Sequence, residues 1–303
     1  MLQTAKHSFS FGKRLFFNSA ISQLFTPFQN FKPVQTNIQP FVTQFTGKRY
    51  FSKTPKETEK KEEQYDEKKA KEFENKCQNG DVNAMYEYGR ALLEGTDGIK
   101  KDFEKSARYF KQGADLNDPK CMNSYGLCLL YGDGVKQDSK AAFSYFRKAA
   151  DCGNSEAQYY VGFCYQMGQG VEKNEKEFIK YLKMSADNGY SEACSIYGTM
   201  LLRQEDQKTD STSLAYQYFK KAADLGDING QYIYGMALLT GAPGVSMNKG
   251  QAAVYLKKAA EQSHSDAQCI YGHLLYHGDG VPKDLKEATR FFGLSAVQGN
   301  PEG

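Results

Sequence analysis

The sequence has no tryptophan, and its 303 residues hold only eight prolines and four histidines. No run nears the roughly 18 apolar residues of a membrane-spanning helix, so no integral membrane span is expected. The seven cysteines, Cys77, Cys121, Cys128, Cys152, Cys164, Cys194 and Cys269, form no C-x-x-C pair. An odd count without close pairs argues against a disulfide framework or a zinc site. P-loop, G-x-S-x-G, H-E-x-x-H and kinase signatures are also missing. Residues 1–56 hold eight Lys and Arg but no acid. All 36 acids therefore fall in 57–303, where 31 bases leave a net charge of −5 beneath the overall +3. What is present, 40% hydrophobic residues with 21 Tyr and 20 Phe, is enough for a sizeable core and excludes a wholly disordered chain.

The acid-free N-terminus reads as an address. Between Lys6 and Phe25 the bases Lys6, Lys13 and Arg14 mix with Phe and Leu, the make-up of a cationic amphipathic helix. That composition fits a mitochondrial transit peptide over 1–51. Arg49-Tyr50-Phe51-Ser52 matches the R-x-F/Y-S processing pattern, with cleavage between Phe51 and Ser52. A disordered basic tail is the alternative. No uninterrupted apolar core favours a secretory signal. Residues 52–59 read as a linker, and the charge-rich stretch 60–80 as a solvent-exposed helix with i,i+4 ion pairs.

Self-similarity dominates the rest. A glycine preceded by Tyr or Val recurs at Gly89, Gly126, Gly162, Gly198, Gly235 and Gly272, spaced by 36 or 37 residues. A second register, Ala114, Ala150, Ala186, Ala223, Ala260 and Ala296, advances with it. Five residues before each glycine stands a small residue and three after it a large one, such as Ala84 and Leu92, which places both on one helical face. A glycine loop follows, as in Gly132-Asp133-Gly134-Val135, whose valine is expected to tuck under the turn. A second helix then carries an aromatic or apolar pair, such as Tyr145-Phe146, with Ala149-Ala150 behind it. One such hairpin cannot bury its own faces, but six stacked side by side build a continuous core. The expected units are 81–117, 118–153, 154–189, 190–226, 227–263 and 264–300.

The pattern A-x-x-x-Y-G-x-x-L-x-x-G-x-G-V followed by A-x-x-Y-F-x-x-A-A-x-x-G resembles the Sel1-like repeat, a helix–turn–helix related to the tetratricopeptide repeat. The likeness covers about 82–300 and is cleanest from Tyr125-Gly126 to Gly153. It implies an all-α superhelical solenoid of six repeats, with the first helix of each lining a concave face that holds peptides or protein surfaces. The fourth copy departs, because Arg203–Ser213 replaces the glycine loop with polar residues; its helices are still expected. Phe73, Cys77 and Gly80 match Phe146, Ala150 and Gly153 at an offset of 73, so 60–80 is expected to cap the first repeat as a lone second helix. After Phe291-Phe292 no polar cap follows; that end either contacts a partner or another copy, or faces water as an amphipathic helix.

Chemistry is sparse. His273 and His277 sit at i,i+4, a spacing that can ligate a metal, but lack a third ligand, and their column reads as variable surface. No catalytic, cofactor or metal residues are expected, nor enzyme activity. The glycine loops resemble phosphate cradles only superficially. Lys111, Arg147, Lys183, Lys220 and Lys257 recur once per repeat; a solvated outer face explains them better than nucleic-acid binding, since the array is acidic. Cys121, Cys128, Cys164 and Cys269 read as reduced packing thiols and His264 as a loop residue. First-helix residues that differ between copies are candidates for protein binding: Tyr86, Arg90, Glu94, Tyr131, Tyr159, Phe163, Met167, Arg203, Tyr232, Met236 and His273. The functional expectation is a non-enzymatic mitochondrial adaptor or scaffold, acting in assembly or maintenance of an organellar complex. Alternatives are a constitutive subunit of a large mitochondrial complex and an adaptor for signalling or degradation in the endoplasmic reticulum or cytosol.

Overall fold

The computed structural model describes residues 66–96, 98–203 and 209–300. All lie in one unit, residues 54–303. The expected transit segment, its Phe51–Ser52 cleavage position, the linker and residues 60–65 lie outside the described residues. A lone helix, α1 (Glu67–Gln78), leads into six hairpins of a first helix, A, and a second helix, B. They are α2 (Val82–Glu94) with α3 (Phe103–Asp115), α4 (Pro119–Tyr131) with α5 (Ser139–Asp151), and α6 (Ser155–Met167) with α7 (Glu175–Asp187). Next come α8 (Ser191–Arg203) with α9 (Thr209–Asp224), α10 (Ile228–Thr240) with α11 (Lys249–Glu261), and α12 (Ser265–His277) with α13 (Leu285–Val297). Among the described residues no strand forms, and one antiparallel bridge joins Ala242 to Val245.

Helix starts are set by short polar side chains. Asp81, Asp102, Asp118, Asp138, Asn154, Asn174, Asp227, Asn248 and Asp284 each precede a helix and accept a hydrogen bond from the backbone N–H three residues on. Each such cap contributes about 1 kcal/mol. His264 is not a free loop residue: it caps α12, its Nδ1 accepting from the Ala267 N–H at 3.2 Å. Burial lowers its pKa, which keeps the imidazole a neutral acceptor.

Within a hairpin the periodic glycine permits close approach. A Cβ on Gly126 would come within 2.7 Å of the Phe146 ring, and one on Gly272 within 2.8 Å of Phe292. Phe110, Phe146 and Phe219 are fully buried in this way, each worth about 2–3 kcal/mol of burial before entropy is counted. The residue before the glycine meets the first aromatic of helix B edge to face: Tyr125–Tyr145, Tyr197–Tyr218, Tyr234–Tyr255 and Tyr271–Phe291 have centroids 4.9–5.3 Å apart. Four hairpins thus repeat one ring geometry. In the third, Val161 takes the tyrosine's place.

The second glycine of each loop joins consecutive hairpins. Gly134 has φ +70° and stands so close to the Phe103 carbonyl, at the start of the preceding B helix, that any side chain would collide with it. Gly170 stands likewise on the Ser139 carbonyl and Gly280 on that of Lys249, while Gly244 faces the Ser213 side chain. These glycines serve stacking and left-handed backbone together. The apolar residue after the loop is buried only at Ile99; Val135, Val171, Val245 and Val281 are half-buried, a shallower placement than the sequence implies. Both helices of the fourth hairpin form despite its polar connection, of which 204–208 lie outside the described residues.

Candidate functional site: the face of the A helices

Counting each A helix from its first residue, positions 5, 9 and 13 lie along one stripe. Position 5 holds Tyr86, Asn123, Tyr159, Ser195, Tyr232 and Cys269; position 9 holds Arg90, Leu127, Phe163, Thr199, Met236 and His273. Position 13 holds Glu94, Tyr131, Met167, Arg203, Thr240 and His277. All eleven side chains proposed from the sequence for protein binding therefore fall in three adjoining columns.

Burial divides them. Tyr159, Phe163 and Tyr232 are buried, whereas Tyr86, Arg90, Glu94, Tyr131, Met167, Met236 and His273 are half-buried and Arg203 is exposed. The histidine column is corrected here: it is not uniformly surface, because Leu127 and Phe163 within it are buried. His273 packs against Phe292 at 4.8 Å, and burial, with His277 nearby, pushes its pKa down to about 4. Tyr86 lies under two cations, Arg90 at 5.9 Å and Lys120 at 5.6 Å, and Arg90 also pairs with Glu94 at 3.3 Å. Tyr232 stacks on His264 with centroids 4.3 Å apart.

A group the variable-residue argument missed sits beside these columns. Position 2 carries Glu156 and Glu192 in consecutive hairpins. Burial, reinforced by Glu192, raises the Glu156 pKa to about 7, against a hydrogen bond from Asn123 and the charge of Arg90. Next along, burial raises the Asp227 pKa, although Ser195 donates to its Oδ1. The signal was in the sequence: Ser155-Glu156-Ala157 and Ser191-Glu192-Ala193 are the same tripeptide one repeat apart.

The Sel1 repeat model matches six times, at residues 82–118, 119–154, 155–190, 191–227, 228–264 and 265–300. The chain belongs to the Sel1 repeat family. Among solved structures it is similar to c5321, a protective antigen of uropathogenic Escherichia coli with an SLR fold (TM-score 0.60, 30% identity). That likeness covers 77% of this chain and 49% of the antigen. A Sel1 repeat protein from Oxalobacter formigenes is similar with TM-score 0.59 and 29% identity, over 73% of this chain and 63% of that one. This chain thus spans about half of the first and less than two thirds of the second. No curated protein matches it. Sel1 repeat arrays are scaffolds for protein–protein interaction, built without a catalytic centre of their own.

The Sel1 B helices present a different surface. Lys111 pairs with Asp115 at 2.7 Å, Lys183 with Asp187 at 2.6 Å, Lys220 with Asp224 at 3.0 Å and Lys257 with Glu261 at 3.8 Å. Four of the five recurring bases are thus neutralised one turn on, while Arg147 instead lies over the Tyr181 ring at 5.6 Å. The Sel1 core thiols are chemically quiet: burial pushes Cys77 and Cys194 up to about 11, and Cys128 and Cys164 up to about 12. Among the described residues no three His, Cys, Asp or Glu stand together to hold a metal ion, and no helix is long and apolar enough to cross a membrane.

Proposed function

We propose that the chain is a mitochondrial adaptor that holds protein or peptide partners along the face of its A helices, in the assembly or maintenance of an organellar complex. The observation that carries this reading is the alignment of the side chains that differ between repeats into three columns on one face, while those that repeat make the core. A stack of hairpins fixes that face before any partner arrives, which lowers the ordering cost of binding. The compartment rests on the acid-free, Phe-rich residues 1–51 and the Arg49-Tyr50-Phe51-Ser52 pattern. A triple variant, Tyr86→Ala, Arg90→Ala and Met236→Ala, is expected to lose partners captured by the wild type from mitochondrial extract while melting within a few degrees of it. Unchanged capture rejects the face. Sequencing the mature N-terminus from isolated mitochondria is expected to read from Ser52; a Met1 start in a cytosolic fraction rejects the compartment.

One observation favours the constitutive-subunit reading as a second. Ala114, Ala150, Ala186, Ala223 and Ala260 are buried, but Ala296 in α13 is exposed, together with Leu285, Leu294 and Val297. In that reading α13 contacts a neighbouring subunit or a second copy. Leu294→Lys with Val297→Lys is expected to lower the native mass on size exclusion of an organelle extract; an unchanged mass removes the α13 contact.

A further inference from the structure

We propose that Asn123, Glu156 and Glu192 form a notch on the A-helix face that seats a lysine or arginine side chain from an extended segment of a partner protein. The inference rests on the scaffold reading and names the chemistry of what that face takes.

The three residues belong to α4, α6 and α8. Asn123 is only 2% exposed, yet its Oδ1 has no hydrogen-bond partner. The same side chain lies next to the Glu156 carboxyl, whose pKa it helps to lower. Glu192 occupies the equivalent position one hairpin later and adds its negative field, while accepting a hydrogen bond from Ser191 Oγ at 2.8 Å. Among the described residues no base forms an ion pair with Glu156 or Glu192. One buried amide oxygen and two carboxylates are therefore gathered with too few donors. A buried acceptor without a partner is costly and gains when a donor arrives. The species that satisfies amide oxygen and carboxylates together is a cation with several N–H groups, an ammonium or a guanidinium.

Two bases on the neighbouring A helices, Arg90 and Lys120, are otherwise engaged. Arg90 is the cation that acts on Glu156, but it is held by Glu94 and lies over Tyr86. Lys120, at the same helix position as Glu156 one hairpin earlier, reaches the Tyr86 ring instead. The groups facing Glu156 are thus Glu192 from α8, Asn123 from α4, and Arg90 and Tyr86 from α2. A metal ion is disfavoured, because no three potential ligands stand close enough to coordinate one. Burial and Glu192 raise the Glu156 pKa to about 7, so below neutrality the notch holds a proton that an incoming ammonium must displace. Binding should therefore strengthen from pH 6 to pH 8. The net charge of −5 over 57–303 complements a basic segment.

The test uses the full chain and a fluorescein-labelled nonapeptide of alternating alanine and lysine, read by anisotropy. Wild type is expected to bind it, more tightly at pH 8 than at pH 6, and not to bind the alanine–glutamate counterpart. Glu156→Gln with Glu192→Gln is expected to weaken binding about tenfold with an unchanged circular-dichroism melt, and Glu156→Gln alone to flatten the pH dependence. Glu175→Gln, on the exposed start of α7, is expected to change nothing. Equal binding by the double variant, equal loss in Glu175→Gln, or displacement of the peptide by micromolar calcium chloride overturns the notch. If the double variant also keeps every partner that the Tyr86, Arg90 and Met236 variant loses, the notch fails and the scaffold reading stands.

Discussion

The second and third hairpins connect their helices through a glycine loop; the fourth does not. Gly134 and Gly170 press on the start of the preceding B helix, and Phe103 and Ser139 beneath them are half-buried. The fourth hairpin offers no such glycine, and Glu175, the matching residue at the start of α7, is exposed. Its stacking is secured at the other end of the helix. Tyr218 donates to Asp187 at 2.5 Å, and Lys221 donates to the carbonyls of Ala186 and Asp187 at 2.8 and 2.7 Å, capping the last turn of α7. The next junction repeats the first of these contacts, Tyr255 to Asp224 at 2.6 Å. Closing a hairpin and stacking it on its neighbour are therefore separate devices, and the helix-end contact serves both where a loop glycine is missing, at Tyr218, and where Gly244 is present, at Tyr255.

Six substitutions break or sharpen that contrast. Phe146→Ala and Phe219→Ala remove fully buried rings from the second and fourth hairpins. Each is expected to cost about 3–5 kcal/mol in denaturant unfolding, and a much smaller cost in the fourth would mean that it closes differently. Gly134→Ala meets both a backbone collision and a left-handed φ, so about 3 kcal/mol is expected, whereas Glu175→Ala at the uncovered counterpart should stay within about 0.5 kcal/mol. Tyr218→Phe deletes the substitute contact, at about 1 kcal/mol. Burial acts to raise the Asp187 pKa, but hydrogen bonds from Lys183 and Tyr218 outweigh it and hold the carboxyl below its usual range. That contribution is in force above the unfolded value of about 3.9 and fades as pH falls through the lower folded one. Tyr218→Phe should therefore narrow the gap between stability at pH 5 and pH 2, read by urea midpoints. Ser263 adopts φ +69° where four other repeats place glycine, at Gly153, Gly189, Gly226 and Gly299. Ser263→Gly is expected to add about 0.5–1 kcal/mol to thermal stability; a loss would mean the serine side chain is needed there.

Six hairpins, their register and their core could be read from the sequence, because packing reuses one solution and each copy votes for the same pattern. The lone helix ahead of them was legible too, since Phe73 and Cys77 keep the spacing of Phe146 and Ala150. The candidate face was half legible. Variation singles out positions 5, 9 and 13, but it does not say that Leu127, Phe163 and Tyr159 are buried, because exposure depends on neighbours a repeat away. Three polar residues escaped for a similar reason. Gln158, Gln231 and Gln268 are buried and hydrogen-bonded: Gln268 donates to the Ala260 carbonyl of the preceding hairpin's B helix at 3.0 Å and accepts from Gln298, at the end of its own, at 2.7 Å. Gln158 does the same with Ala150 and Asn188, and Gln231 accepts from Gln262. Glu156 and Glu192 did not stand out because two like residues in consecutive copies look like conserved pattern rather than chemistry.

Each loop glycine that stacks one hairpin on another touches a residue 31 places earlier: Gly134 on Phe103, Gly170 on Ser139, Gly244 on Ser213 and Gly280 on Lys249. For each of these layers the residue it rests on has already been made when the layer emerges from the ribosome. Stacking such a layer needs no contact distant in sequence.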